Sequence, residues 1–87
     1  MRIIEGYALS IVGNDYFVVE EGMDVSNNIY PISDVAARVW EHIVDRDFRV
    51  SSVAKFLTEE CDYDILTAQV NAHEMVKEWQ EAGFIEE

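Results

Sequence analysis

The sequence predicts an α+β domain in which three helices cover one face of a small antiparallel sheet. Residues before about position 32 alternate in polarity or are rich in β-branched and aromatic side chains, whereas later residues show helical spacing. A run of strands followed by a run of helices is typical of α+β architecture. The 87 residues, 49% of them hydrophobic, are enough for one domain spanning 1–87 with a modest core.

Three strands are predicted in the first part of the chain. Residues 7–12 alternate between two faces, and a turn at 13–15 joins them to residues 16–20, so these two strands form a hairpin. Residues 28–32 form a short third strand after a polar loop. Because Pro31 has no N–H to donate, this strand lies at the edge of the sheet or ends at Pro31.

Three helices are predicted in the rest of the chain. Ser33 is the N-cap of the first helix, which runs to about residue 45 with apolar side chains at helical spacing. Ser51 caps the second helix and Asp64 caps the third. Gly83 ends the third helix, because glycine accepts the left-handed conformation that is common after helix C-termini.

The third helix has three different faces when its residues are placed about 100° apart. The predicted core face is apolar and consists of Ile65, Ala68, Ala72, Met75, Val76, Trp79 and Ala82. The predicted solvated face consists of Thr67, Asn71, Glu74, Glu78 and Glu81. A mixed face consists of Leu66, Gln69, Val70, His73, Lys77 and Gln80. Such a mixed face is typical of a shallow peptide groove or of packing under a neighbouring loop, and the residues alone leave both open.

Composition and charge argue against several classes of partner. Six Lys and Arg against 18 Asp and Glu leave a net charge of -12, which opposes binding to nucleic acid or to anionic membrane surfaces. No apolar run reaches the roughly 20 residues of a membrane span, and the N-terminus lacks the apolar segment of a signal peptide. The single cysteine, Cys61, excludes a disulfide framework and suits the reducing cytoplasm.

No catalytic or cofactor motif is present in the sequence, so we predict neither an enzyme nor a bound cofactor or metal. The four glycines are scattered and form no phosphate loop. His42 and His73 lack the spacing of metal ligands. Adjacent carboxylates such as Glu59 and Glu60 point apart on a helix, which makes them unsuitable as a catalytic dyad.

Three segments carry a more specific pattern. Residues 32–41 combine a polar cap, a helix start of small residues and a Val-Trp pair, and residues 50–57 form a capped short helix. Residues 75–85 close the chain with two apolar residues, a tryptophan and Gly-Phe-Ile. Together these segments resemble the PqqD-like family, named for a pyrroloquinoline-quinone biosynthesis protein. Its members are recognition elements for ribosomally made, post-translationally modified peptides, and the resemblance extends over about 7–85.

The resemblance implies a winged helix-turn-helix-like fold, with a three-stranded antiparallel sheet followed by three helices, that performs no chemistry itself. It implies that the leader segment of a precursor peptide adds as a strand to the third strand, in the groove against the third helix. The protein then presents the precursor to a modifying enzyme such as a radical-SAM maturase. Carried over by position, the peptide-binding residues are Asn28, Ile29, Tyr30, Pro31, Ile32, Gln69, Val70, His73, Val76, Lys77 and Gln80.

Two details of this expectation concern charge and the strand edge. His73 and Lys77 on the mixed face predict an acidic leader. Pro31 removes one hydrogen bond, either from the open edge or from the sheet itself. The chain also departs from the family pattern at residues 46–47, where glycine is usual, and at Asn71, where aspartate is common.

Other functions remain as alternatives. One is a non-catalytic scaffold or a homodimer that forms through the edge strand. A winged-helix transcriptional regulator has a similar architecture, but the acidic third helix would face DNA phosphates with the wrong charge.

Overall fold

A computed structural model describes residues 1–21 and 29–87. The predicted α+β class is confirmed, because a three-stranded antiparallel sheet precedes three helices. The elements within the described ranges are β1 (Arg2–Ile3), β2 (Tyr7–Val12), β3 (Asp15–Glu20), β4 (Ile29–Ile32), α1 (Asp34–Ile43), α2 (Val50–Glu60), α3 (Ile65–Glu81) and β5 (Ile85–Glu86). Asn28 and the predicted polar loop before it lie outside the described residues, except for Glu21.

The three-stranded sheet has the order β2–β3–β4 and is antiparallel throughout. The predicted hairpin is confirmed, and β3 begins one residue earlier than expected because Asp15 pairs with Val12. Gly13 occupies the first central position of the two-residue turn with φ of +64°. A positive φ at that position, taken by glycine, is characteristic of the type II′ turn that suits the twist of paired strands.

A second, two-stranded sheet joins the two ends of the chain and was not predicted. β1 pairs with β5, with Ile3 opposite Ile85. The Met1 amino group donates to the Phe48 carbonyl at 3.0 Å, and the Phe48 N–H donates back to the Met1 carbonyl at 2.8 Å. Strands of two residues show no periodicity, so sequence patterns could not find this pairing.

The core is centred on aromatic side chains contributed by every layer of the fold. Trp40 of α1 and Trp79 of α3 are each 1% exposed and meet edge to face, with ring centroids 5.3 Å apart. Phe84 contacts Trp40 at 5.8 Å and Tyr30 of β4 at 5.1 Å, also edge to face. Such pairs contribute about 0.5–1.5 kcal/mol each beyond the burial of their area. They hold β4 and α3 in a defined relative position.

The helix ends follow local capping chemistry in two of the three predicted places. The Ser33 hydroxyl accepts from the Ala36 N–H at 3.1 Å, and Asp64 accepts from the Thr67 N–H at 2.9 Å. The hydrogen bond from the Thr67 backbone, reinforced by the Thr67 hydroxyl, lowers the pKa of Asp64 because both favour the carboxylate. Gly83 follows the end of α3 with φ of +85°, as predicted.

The predicted cap of the second helix is wrong. Arg49 occupies the N-cap position and α2 begins at Val50, so Ser51 lies inside the first turn. Ser52 provides the hydroxyl instead, accepting from the Arg49 N–H at 3.1 Å. A serine at the third helical position reaches back to the cap in the same way as the acidic residue of a capping box.

The core face of α3 is confirmed in its middle and wrong at its start. Ala68, Ala72, Val76 and Trp79 are buried, whereas Ile65 is 69% exposed. Ile65 is the first residue of α3, where the helix extends past the core, so its side chain lies at the surface despite its position on the apolar stripe. Within the described ranges, no helix combines the length and apolarity needed to cross a membrane.

Candidate functional site

β4 is an edge of the three-stranded sheet. It pairs with β3 on one side, and no described strand pairs with its other side. Tyr30 and Ile32 pack against the core, whereas Ile29 and Pro31 are exposed. A strand edge of this kind presents unpaired N–H and carbonyl groups to which another chain can bind.

One hydrogen bond determines the phase of the β2–β3 ladder. The Glu21 N–H donates to the Gly6 carbonyl at 2.6 Å, one position beyond the pair of Tyr7 and Glu20. In an antiparallel ladder, pairs that exchange backbone hydrogen bonds alternate with pairs that do not. The bond between Glu21 and Gly6 makes Tyr7 and Glu20 a pair of the second kind. The odd-numbered residues of β3 therefore bond to β2, and the even-numbered residues direct their backbone groups toward β4.

The same alternation identifies the unpaired groups of β4. Val18 is opposite Tyr30 and Phe17 is opposite Pro31. Tyr30 therefore bonds to β3, while Ile29 and Pro31 turn their backbone groups toward the open edge. Ile29 offers an N–H and a carbonyl there, and Pro31 offers only a carbonyl. The sequence left open whether Pro31 removes a donor from the open edge or from within the sheet. In the structure the donor is missing from the open edge, and the hydrogen bonds between β3 and β4 stay intact.

A groove of about 300 Å³ separates this edge strand from α3. Met75 and the edge of Trp79 form its apolar side on α3, together with Ile32 from β4. Asn71, Glu74 and Glu78 belong to the predicted solvated face; Glu74 and Glu78 are exposed as predicted, and all three also line the groove. Its complete lining is Tyr30, Pro31, Ile32, Ser33, Ala36, Asn71, Glu74, Met75, Glu78 and Trp79.

The predicted α3 residues lie elsewhere. Gln69 and His73 line a separate groove between α2 and α3, and His73, Lys77 and Gln80 lie beside Met1. Val70 is 50% exposed, and it does not line the groove beside β4. None of these side chains lines the groove beside β4, and their role in peptide binding stays a prediction. The predicted site residues on α3 that this concerns are Gln69, Val70, His73, Lys77 and Gln80.

Val76 belongs to the core and not to the groove surface. Its side chain is 3% exposed, on the same stripe as Ala72 and Trp79. Trp79 on that stripe meets Trp40 of α1, and the helix has one flank toward β4 and another toward α2. Helical periodicity defines both flanks but does not say which of them meets the strand.

The groove beside β4 is acidic. Glu74 and Glu78 are one turn apart on α3, and none of the lining residues is Lys or Arg. The salt bridge that the described residues form, between Arg2 and Asp47, lies outside the groove. The expectation of an acidic leader depended on His73 and Lys77, so it loses its geometric basis.

Other chemistry-bearing side chains do not converge in the part of the chain that the structure describes. His42 stacks on Phe56, with ring centroids 4.5 Å apart, and Cys61 is a half-buried free thiol. No group of three or more His, Cys, Asp or Glu side chains in residues 1–21 and 29–87 is placed to hold a metal ion.

Comparison with known families agrees with this fold. The family model described as "Coenzyme PQQ synthesis protein D (PqqD)" matches residues 16–85. The chain belongs to the PqqD family. The match begins in β3 and includes β4 and all three helices, so PqqD membership covers both walls of the groove.

A solved structure shares the PqqD fold of this chain. It is TbiB1 in complex with the TbiA(beta) leader peptide, which superposes with a TM-score of 0.74 at 12% sequence identity. The superposition covers 99% of this chain and 95% of TbiB1. At this identity the likeness concerns the fold. A comparison with curated proteins gives no match.

Proposed function

We propose that this PqqD-family protein binds the leader segment of a ribosomally synthesised precursor peptide as an additional strand on β4, in the groove against α3. The observation that carries the proposal is the open edge of β4, where Ile29 and Pro31 have unpaired backbone groups beside that groove. Membership of the PqqD family supports a peptide as the occupant. The presence of a leader peptide on TbiB1, which has the same fold, supports a leader in particular.

The number of available hydrogen bonds indicates how binding energy is divided. Ile29 and Pro31 together offer one donor and two acceptors, and each hydrogen bond contributes about 0.5–1.5 kcal/mol net. Micromolar affinity corresponds to about -8 kcal/mol. Three such bonds supply at most about half of this free energy. Side chains that fill the groove against Ile32 and Met75 are therefore expected to supply the rest.

In this proposal the protein is an adaptor, or peptide chaperone, and not an enzyme. It holds the leader while the rest of the precursor reaches a separate modifying enzyme, such as a radical-SAM maturase. We place this activity in the cytoplasm, where the precursor is synthesised and where the free thiol of Cys61 is stable.

An NMR amide titration of the full chain with the leader peptide encoded beside its gene tests the proposal. We expect the largest shifts at Ile29, Tyr30 and Ile32 and, across the groove, at Met75 and Glu78, with saturation near micromolar peptide. A scrambled peptide of the same composition is the control. Shifts restricted to the groove between α2 and α3 would contradict the proposed binding mode, and no shifts at millimolar leader would contradict leader binding altogether.

A further inference from the structure

We infer that the peptide recognised beside β4 is basic, with Lys or Arg at positions that face α3 and pair with Glu74 and Glu78. This inference rests on the proposed function and names the chemical class of the peptide. It reverses the charge that the sequence alone predicts for the leader. Acidic side chains on an exposed helix are usually just solvated, so the argument depends on what surrounds these two.

The first step concerns which peptide side chains reach the carboxylates. Side chains alternate between the two faces of a sheet, and neighbouring strands keep the same faces. Every second side chain of a strand added to β4 therefore lies on the face of Tyr30 and Ile32, which is the face toward α3. Those side chains face Glu74, Met75 and Glu78. Apolar side chains opposite Met75 and basic side chains opposite the two glutamates therefore complement this wall.

The second step concerns charge balance within the groove. Glu74 and Glu78 are one helical turn apart and repel each other. None of the residues that line the groove is Lys or Arg. Glu74 also lies beside Lys77 and His73 on its other side, whereas Glu78 does not. A basic side chain from a bound peptide would therefore bring a positive charge into the groove, and it would relieve the repulsion between the two carboxylates as it binds.

The third step concerns the rest of the molecule. Lys77, the Lys or Arg residue of α3, does not line the groove beside β4 and lies on the flank beside Met1. A net charge of -12 attracts basic peptides over distances near the Debye length, about 10 Å at 0.1 M salt. Because Pro31 leaves the edge with one donor fewer, side-chain contacts weigh more heavily in deciding which peptide binds.

A random peptide library selected against the full chain at low salt tests the inference. We expect selected peptides to carry Lys or Arg at alternating positions and to shift the amides of Ile29 and Met75. For the tightest selected peptide, the double substitution Glu74→Gln with Glu78→Gln is expected to weaken binding about fivefold. The double substitution Glu59→Gln with Glu60→Gln changes net charge equally on exposed residues of α2, so it should weaken binding by less than about twofold.

The outcomes separate the two proposals. Selected peptides that shift the β4 amides but lack basic residues would overturn the basic class while leaving strand addition in place. Equal weakening by the two double substitutions would overturn pairing with Glu74 and Glu78, because net charge alone would then explain the effect. Selected peptides that leave the β4 amides unchanged would overturn strand addition together with the inference built on it.

Discussion

The two flanks of α3 border grooves of very different kinds. The groove toward α2 is the larger, at about 530 Å³ against about 300 Å³ for the groove toward β4. Both walls of the larger groove are helices, whose backbone groups bond within each helix. The smaller groove has a strand edge with unpaired backbone groups as one wall. In the proposed binding mode an extended peptide needs backbone partners, so the smaller groove suits it better than the larger one.

The largest expected effect is on the free energy of unfolding and comes from Trp79 of α3. Trp79 is 1% exposed and packs against Trp40, which in turn contacts Phe84. Trp79→Ala should lower the free energy of unfolding by about 3–5 kcal/mol, because it empties the core beneath both grooves. Chemical denaturation followed by circular dichroism measures the loss.

Leu66→Ala is the control for Trp79→Ala. Leu66 is on the same helix and is 72% exposed, so its truncation should change stability by no more than about 0.5 kcal/mol. Equal losses in the two variants would contradict the position of α3 in the core.

The next effect distinguishes the two open edges of the sheet. By the alternation of the ladders, Ile29 of β4 and Ile11 of β2 each direct their N–H toward an open edge. Ile29→Pro should weaken leader binding about tenfold, because it removes the edge donor and places a ring against the incoming strand. Calorimetric titration with the leader measures the change.

Ile11→Pro is the matched control, since it removes an outward N–H from the other edge strand. Leader affinity in this variant should stay at the wild-type value. If Ile11→Pro weakened binding as much as Ile29→Pro, the leader would not be specific for the edge of β4.

Elements governed by local chemistry could be predicted from the sequence. The hairpin follows from alternation around a glycine turn, and the ends of α1 and α3 follow from Ser33, Asp64 and Gly83. In each case the residues that decide the structure are within a few positions of one another. The pairing of β1 with β5 brings opposite ends of the chain together and has no local signal.

Of the candidate groove, the strand side could be predicted from the sequence and the helix side could not. The edge position of β4 could be predicted, because Pro31 has no N–H to donate and favours an edge strand. The α3 residues that line the groove could not be predicted, because a helical wheel gives the angles between side chains but not which of them point toward β4. His73 and Met75 are two positions apart in sequence and line different grooves.

A smaller effect is expected from reversing charge at neighbouring positions of α3. Glu78 lines the groove beside β4, whereas Lys77 lies on the far flank. Glu78→Lys should weaken a basic peptide about fivefold by repulsion, and Lys77→Glu should change its affinity by less than about twofold. Fluorescence anisotropy at 50 mM and 500 mM salt measures both, and only the Glu78→Lys effect should shrink at high salt. If Lys77→Glu weakened binding more than Glu78→Lys, the result would indicate that the peptide binds on the flank of His73 and Lys77.

The smallest expected effect is a gain in leader affinity. It tests the backbone edge of β4 separately from the side chains around it. Pro31→Ala restores an N–H that points outward, and it leaves the hydrogen bonds of Tyr30 and Ile32 to β3 in place. One additional backbone bond should tighten leader binding about threefold. The same N–H makes the edge a better template for pairing with a second copy, so self-association should also rise. Calorimetry at low protein concentration and sedimentation at high concentration separate the two effects. Unchanged affinity would mean that the peptide does not reach Pro31, which would confine strand addition to the part of β4 before it.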